Sequence, residues 1–276
     1  MDIIHSVADL RSRLQVEPDN CFVPTMGNLH EGHIQLVRIA KPKAACTVVS
    51  IFVNRTQFGP KEDFERYPRT LEGDCEKCER AGVDVVFAPD ESEIYPEPQT
   101  YFVEPPEVQY MLEGAVRPGH FRGVATVVLK LFNMVGPQSA IFGKKDYQQC
   151  RVLQNMVREL ALPIDIILAE TVRAEDGLAL SSRNGYLTPQ ERTEAPQLFE
   201  TLQRVHAEIA SGKRDFQRME LEAQAALAAR GWHPDYIAVR RQHDLHVPVE
   251  DDRALVVVAA AKLGRTRLID NIEVDI

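Results

Sequence analysis

The sequence predicts an α/β protein: a parallel-sheet domain over residues 1–176, followed by a smaller α+β domain with a short antiparallel sheet over 177–276. Short apolar runs alternate with helical patterns up to Ala169, which is the sequence form of a parallel sheet covered by helices. One run, Cys46 to Val53, is apolar on nearly every residue, as a strand buried on both faces must be. After Arg173 the rhythm changes to two helical stretches and three β-rich segments. Their short connections suit antiparallel pairing, because parallel strands need longer crossovers.

The strands of the first domain are expected at Cys21 to Pro24, Cys46 to Val53, Val83 to Ala88, Ser139 to Phe142 and Ile164 to Ala169. Helices lie between them with readable ends. Asn28 with Glu31 reads as a capping box for the helix carrying Ile34, Leu36, Val37 and Ala40. Thr70 precedes a second helix, stopped near Gly82, and Val124 to Val135 forms a third, stopped by Gly136-Pro137. Asp146 opens a fourth, which ends before Pro163. In the second domain, Thr188-Pro189-Gln190-Glu191 starts a long helix running toward Gly212, because it supplies a cap, a proline at the first helical position and an acid at the third. An Ala- and Leu-rich helix closes at Gly231, and strands follow at Tyr236 to Val239, Ala254 to Ala261 and Thr266 to Val274. The first domain is thus Rossmann-like.

Composition bounds the function. A net charge of -9 disfavours nucleic acid as a partner, and no apolar run is long enough to span a bilayer. The five cysteines have no disulfide-framework spacing, which suits a reducing, intracellular setting. Cys75 and Cys78 form a CxxC, but no second pair or nearby His completes a zinc site, so they read as two thiols on a helix.

Chemistry is concentrated at four places. Pro24-Thr25-Met26-Gly27-Asn28-Leu29-His30-Glu31-Gly32-His33 joins a strand to a helix through a Gly-containing loop, an arrangement whose N–H groups and dipole bind anions. His30 and His33 share one helix face and can donate to phosphate oxygens, while Gly32 leaves room for a nucleobase. Taken alone, HxxH is more often a solvated pair; the loop that precedes it makes the nucleotide reading the favoured one. Ile141-Phe142-Gly143-Lys144-Lys145-Asp146-Tyr147-Gln148-Gln149 repeats the strand-loop-helix logic, and loops at the carboxyl ends of parallel strands share a crevice. Lys145 suits a triphosphate, Asp146 a cap or a ribose, and Gln149 a hydroxyl or carboxylate. Leu180-Ser181-Ser182-Arg183-Asn184 has two hydroxyls and a guanidinium that can hydrogen-bond the β- and γ-phosphates, although such a triplet taken alone is more often a polar turn. Asn54 and Gln57, after the second strand, can read a small polar acid. A fifth stretch, Arg117-Pro118-Gly119-His120-Phe121-Arg122-Gly123, reads as a basic lid or as a merely mobile loop.

Taken together, PTMGNLHEGH, FVN..QF, YPRT, EIYP, MLEGAVRPGHFRGV, FGKKDYQQ, GLALSSRNGYLT and RLIDN, in this order along almost the whole chain, closely resemble the pantoate–beta-alanine ligases, the pantothenate synthetases. The resemblance implies a cytoplasmic homodimer of the HIGH-motif nucleotidyl-transferase superfamily, with no membrane or nucleic-acid partner. It implies a two-step reaction: the carboxylate of (R)-pantoate attacks the α-phosphorus of Mg2+-ATP, and the amine of β-alanine then displaces AMP from pantoyl adenylate. It also assigns residues. Met26, Gly27, Asn28, Leu29, His30, Glu31, Gly32 and His33, with Gly143, Lys144, Lys145, Asp146, Val172, Leu180, Ser181, Ser182 and Arg183, belong to ATP. His33 is the family's proton donor; His30, Lys145 and Arg183 join it as catalytic groups. Gln57 takes pantoate and β-alanine and Gln149 takes pantoate, with Asn54 beside them; no protein metal ligand is assigned.

A carboxylate nucleophile has no proton to lose, so charge stabilisation outweighs proton transfer for the two histidines. The chain departs from the family pattern at Arg55, where proline is usual, and at Lys144, where an acid is usual. The competing readings are a transferase of the same superfamily that stops after nucleotide transfer, and a nucleotide-binding regulator without catalysis. A β-alanine-dependent second step separates the ligase from both.

Overall fold

A computed structural model describes residues 1–60 and 62–276. The chain divides into two compact units, Met1–Gly143 with Val152–Glu170, and Lys144–Arg151 with Thr171–Ile276. The first unit holds a parallel sheet of β1 (Asp2–Ile4), β2 (Asn20–Thr25), β3 (Cys46–Ile51), β4 (Val85–Phe87), β5 (Ser139–Gly143) and β6 (Asp165–Ala169), in the order β1-β4-β3-β2-β5-β6. Every β3 residue from Cys46 to Ser50 is buried, in keeping with its continuous apolar run. The edge strand β1 leaves no readable signal, because it is three residues long and exposes Asp2 and Ile3.

The helices are α1 (Val7–Val16), α2 (Glu31–Ala40), α3 (Leu71–Arg80), α4 (Glu91–Ile94), α5 (Glu113–Val116), α6 (His120–Val135), α7 (Tyr147–Glu159), α8 (Pro189–Glu194), α9 (Gln197–Ala210) and α10 (Phe216–Ala229). Apolar positions of α2 and α3, among them Val37, Ala40 and Cys78, pack on Val23, Val49 and Val86 of the sheet. Gly136 ends α6 with φ +63°, its N–H bonded to Phe132 O at 2.8 Å.

Three expectations need correction. The cap of α2 is His30, and Asn28 instead takes a left-handed turn at φ +50°. Helix α6 begins at His120, so half of the stretch expected as a lid is helical. The helix starting at Thr188 is two helices: its Thr188–Glu191 capping box forms, but Pro196 has no N–H to continue the ladder and heads α9 instead.

The second unit carries an antiparallel sheet of β7 (His233–Arg241), β8 (Ala254–Leu263) and β9 (Thr266–Asp275), in the order β7-β8-β9. Alternate residues of β8, Leu255, Val257 and Ala259, pack on α9 and α10 through Leu202, Ile209 and Leu227. Burying a side chain of this kind contributes about 1.5–3 kcal/mol.

Candidate active site

The sheet order turns around between β2 and β5, since the chain proceeds from β2 to β3 on one side and from β5 to β6 on the other. Ligands of open α/β sheets bind beyond the carboxyl ends of the strands at such a point. Those ends are Thr25, followed by the Met26–His30 loop, and Gly143, followed by Lys144 and Lys145.

The loop after β2 is held from below by a residue absent from the sequence expectations. Asp74 of α3 is fully buried and accepts the N–H groups of Asn28 at 2.8 Å and Leu29 at 2.7 Å, with the Thr70 hydroxyl at 3.0 Å. Lys77 Nζ donates to Leu29 O at 2.7 Å. Gly27, at φ +80°, has Asp74 Oδ2 and Ile51 Cγ2 at 3.1 Å from where a Cβ would stand. The loop is therefore a set backbone shape with a carboxylate at its centre. An acid on the same buried stripe as Cys75 and Cys78 is the available sequence signal.

His30 and His33 do share a face, with ring centroids 4.1 Å apart. Each Nδ1 accepts a main-chain N–H: Gly32 N to His30 at 3.1 Å, and His30 N to His33 at 3.2 Å. An accepting nitrogen carries no proton, so in the neutral rings both protons sit on Nε2. Each ring thus carries an N–H donor on its far edge. Leu29 and Glu31 differ from their neighbours: the Leu29 side chain is in the core, and the Glu31 carboxylate pairs with Arg38 on the exposed face.

Gln57 and Asn54 form a second cluster in the same unit. Asn54 is buried, and its Nδ2 donates to Gln57 Oε1 at 3.0 Å and to Gly123 O at 3.3 Å. Its Oδ1 accepts from Tyr95 at 2.8 Å and Thr56 at 3.0 Å. All of its hydrogen-bonding capacity is used internally, so in this structure Asn54 acts by holding Gln57. Gln57 Nε2 lies 3.1 Å from Met26 Sδ, which engages one of its two N–H groups. Gly123 lets α6 press on this loop: a Cβ there would stand 2.3 Å from Thr56 O and 2.7 Å from Gln57 Cα.

The stretch Arg117 to Arg122 is no basic lid, because each of its charges is tied down. Arg117 grips Glu62 through Nε and Nη2 at 2.7 and 2.8 Å. Its Nη1 meets His120 Nε2 at 3.0 Å, while His120 Nδ1 meets Gln57 O at 2.9 Å. A guanidinium only donates and a carbonyl only accepts, so His120 is neutral with its proton on Nδ1. Burial, and then the charge of Arg117, lower its pKa to about 4. Burial opposes ionisation of Glu62, but Arg117 outweighs it and holds that carboxyl below the usual range. Arg122 lies over the Phe102 ring and pairs with Glu104.

In the second unit, Val172 and Leu180 face each other across a tight hairpin, with Leu180 N bonded to Val172 O at 3.0 Å and Gly177 at φ +90° in its turn. Ser181 Oγ accepts Arg183 N at 3.2 Å, shaping the Ser182–Tyr186 turn. Lys144 pairs with Glu273 at 2.7 Å, and Lys145 Nζ lies 3.3 Å from Asp146 Oδ2. Gln149 is half-buried on the first turn of α7. The two departures are accounted for locally: Lys144 by Glu273, and Arg55 by Glu65, Glu91 and the face of Phe64 at 4.0 Å. Burial pushes the Cys78 thiol up to about 12, so it is no nucleophile near neutral pH.

A family model described as pantoate-beta-alanine ligase matches residues 2–273. A pantothenate synthetase from Nitrosospira multiformis is 54% identical over 274 residues, covering 99% of this chain and 98% of the relative. The crystal structure of pantothenate synthetase from Thermus thermophilus superposes with a TM-score of 0.95 at 44% identity, covering 100% of both chains. A pantoate-beta-alanine ligase from Francisella tularensis, solved in complex with beta-gamma ATP and beta-alanine, superposes with a TM-score of 0.84 at 34% identity, covering 99% of this chain and 97% of that one. Motif, fold and full-length similarity agree: the chain belongs to the pantoate-beta-alanine ligase family.

Proposed function

We propose that this chain joins (R)-pantoate to β-alanine through pantoyl adenylate. The observation that carries the reading is the His30–His33 pair, whose Nε2–H donors stand beyond β2 at the turning point of the sheet. In the first step a pantoate carboxylate oxygen bonds to the α-phosphorus, and the bond to the β-phosphate oxygen breaks, with pyrophosphate taking the electron pair. In the second, the β-alanine nitrogen bonds to the acyl carbon, AMP departs with the acyl–oxygen electron pair, and the nitrogen loses a proton to solvent.

Residue roles follow from donor character. His30 and His33 stabilise charge on the α-phosphate, with His33 as proton donor, and Lys145 and Arg183 neutralise the charge that passes to pyrophosphate. Met26–His33, Gly143–Asp146, Val172 and Leu180–Arg183 bind ATP. For Leu29 and Glu31 this contribution is through the main chain, since their side chains are engaged elsewhere. Gln57 donates its remaining N–H to an oxygen of pantoate and borders β-alanine, and Gln149 binds pantoate.

Among the described residues no group of three or more His, Cys, Asp or Glu could hold a metal ion. Mg2+ is assigned chiefly to the phosphate oxygens of ATP, with Asp146 as an exposed carboxylate beside Lys145. Magnesium there offsets part of the triphosphate charge. No described helix is long and apolar enough to cross a membrane, and a cytoplasmic homodimer is the proposed working form. Exposed Tyr101, Tyr110 and Val116 offer apolar surface for a second copy, and sedimentation velocity tests the dimer. The reaction is tested by measuring pantothenate and AMP with ATP, pantoate or β-alanine omitted in turn. Formation of both only in the complete mixture supports the reading, and AMP without pantothenate contradicts it.

A further inference from the structure

The Arg267-Leu268-Ile269-Asp270-Asn271 stretch takes no part in the reaction steps above, yet it lies on β9 and touches both ATP-assigned segments of the second unit. Successive strand residues face opposite ways. Leu268, Ile272 and Val274 pack in the core of this unit, and Asp270 shares their parity. Asp270 is buried there and accepts Arg173 Nη1 and Nη2 at 2.7 and 2.8 Å. Arg173 also lies over Phe199 at 3.4 Å and donates to Gly177 O at 3.1 Å, so it spans the hairpin joining Val172 to Leu180. On the other parity, Asn271 Nδ2 donates to Lys144 O at 2.8 Å and to Lys145 O at 3.0 Å. Two residues further on, Glu273 takes Lys144 Nζ and the Tyr147 hydroxyl at 2.7 and 2.9 Å.

We infer that Asp270 and Asn271 are the positioning pair of the nucleotide site: adjacent residues of one strand set the distance between the Lys145 turn and the Val172–Leu180 hairpin. The pair acts through the residues it holds, Arg173 and the Lys144–Lys145 main chain. Asn271 uses both amide protons on two carbonyls that flank Lys145, which fixes the peptide from which that side chain springs. Asp270 fixes Arg173 against Val172 and Gly177. A side chain at either position that keeps size but reverses donor and acceptor turns attraction into repulsion while leaving the core filled.

The inference rests on the ATP role proposed for Lys145, and the test separates the two. Pantoate-dependent exchange of pyrophosphate into ATP is measured for Asn271→Asp, Asn271→Ala, Asp270→Asn, Lys145→Ala and the Asn271→Asp/Lys145→Ala double variant, with thermal unfolding as the fold check. Asn271→Asp is expected to lower kcat/KM for ATP by about 30- to 100-fold with the KM for pantoate within about twofold, as displaced catalytic groups do. Asn271→Ala, which removes the donors without adding repulsion, loses less and serves where the first variant fails to fold. In the Lys145→Ala background Asn271→Asp is expected to add little further loss, because it acts through that side chain. Folded Asn271 variants with unchanged kcat/KM for ATP, or a loss that multiplies in full with that of Lys145→Ala, would overturn the inference while leaving the role of Lys145 standing. Undiminished exchange in Lys145→Ala would overturn both.

Discussion

Replacing Gly123 by alanine tests how the proposed pantoate contact, Gln57, is held. The added Cβ would stand 2.3 Å from Thr56 O, 2.6 Å from Thr56 C and 2.7 Å from Gln57 Cα, where ordinary contact begins at 3.4 Å. All three neighbours are backbone, so no side chain can swing aside. The Thr56–Gln57 segment or α6 must retreat by about 1 Å, and a shift of that size can cost about 100-fold in rate. Gln57 is also tied to Asn54, to His120 and to Met26, so its displacement loosens all three links. Gly123→Ala is therefore expected to lower kcat/KM for pantoate by about 100-fold, equivalent to ~2.7 kcal/mol of transition-state stabilisation. The KM for ATP should change far less. Overpacking should also reduce stability by about 1–3 kcal/mol, read from a denaturant midpoint at constant m. A folded variant with wild-type kcat/KM for pantoate would refute the claim that Gln57 must be held at this distance.

Other expectations follow from the same geometry. Gly73 lies in α3 with open space, nothing within 4 Å, where a Cβ would project, so Gly73→Ala should raise stability by about 0.5–1 kcal/mol in denaturant titration without changing activity. Asp74→Asn puts an amide where two N–H groups and a hydroxyl point; it should raise the KM for ATP tenfold or more and lower stability by about 1–3 kcal/mol, and unchanged ATP kinetics would contradict its place under the loop. His120 is ordinarily protonated below 6.5, but in the folded chain only below about 4. The unfolded state therefore binds more protons in that window, and stability is lost as pH falls from about 6.5 to about 4, by a few kcal/mol at most. A His120→Leu variant should show a flatter pH dependence there, and an unaltered slope would contradict the assignment. His33→Ala and Lys145→Ala should each cut adenylation by about 100-fold or more with folding intact, and near-normal turnover in either would remove that residue from the mechanism.

The features legible in the sequence are those set by local pattern. Continuous apolar runs announce β2, β3, β5 and β6, and Thr188-Pro189-Gln190-Glu191 announces its capping box, because burial and capping act over a few neighbouring residues. The strand-loop-helix form of Met26 to His33 is legible for the same reason. Pattern and structure part where local signals compete or where partners are distant. His30 displaces Asn28 as a cap because Asp74, far along the chain, holds Asn28 in a left-handed turn. Pro118 and Gly119 suggest a loop, but Gly119 at φ +83° is itself the cap of α6. Pro196 splits the helix after Thr188, a signal outweighed in the sequence by the apolar positions on both sides of it. Asn54, Asp74, Gly123 and Asn271 act through tertiary contacts 45 to 127 positions away, a range at which periodicity carries no information.

Central to the mechanism is activation of pantoate by direct attack on ATP before β-alanine takes part. Its most direct test is positional isotope exchange in ATP labelled at the α–β bridging oxygen, incubated with enzyme and pantoate alone. Scrambling of label that requires pantoate, occurs without β-alanine and disappears in His33→Ala is the expected result. Active enzyme that makes pantothenate but scrambles label only when β-alanine is present would contradict a free-standing adenylation step.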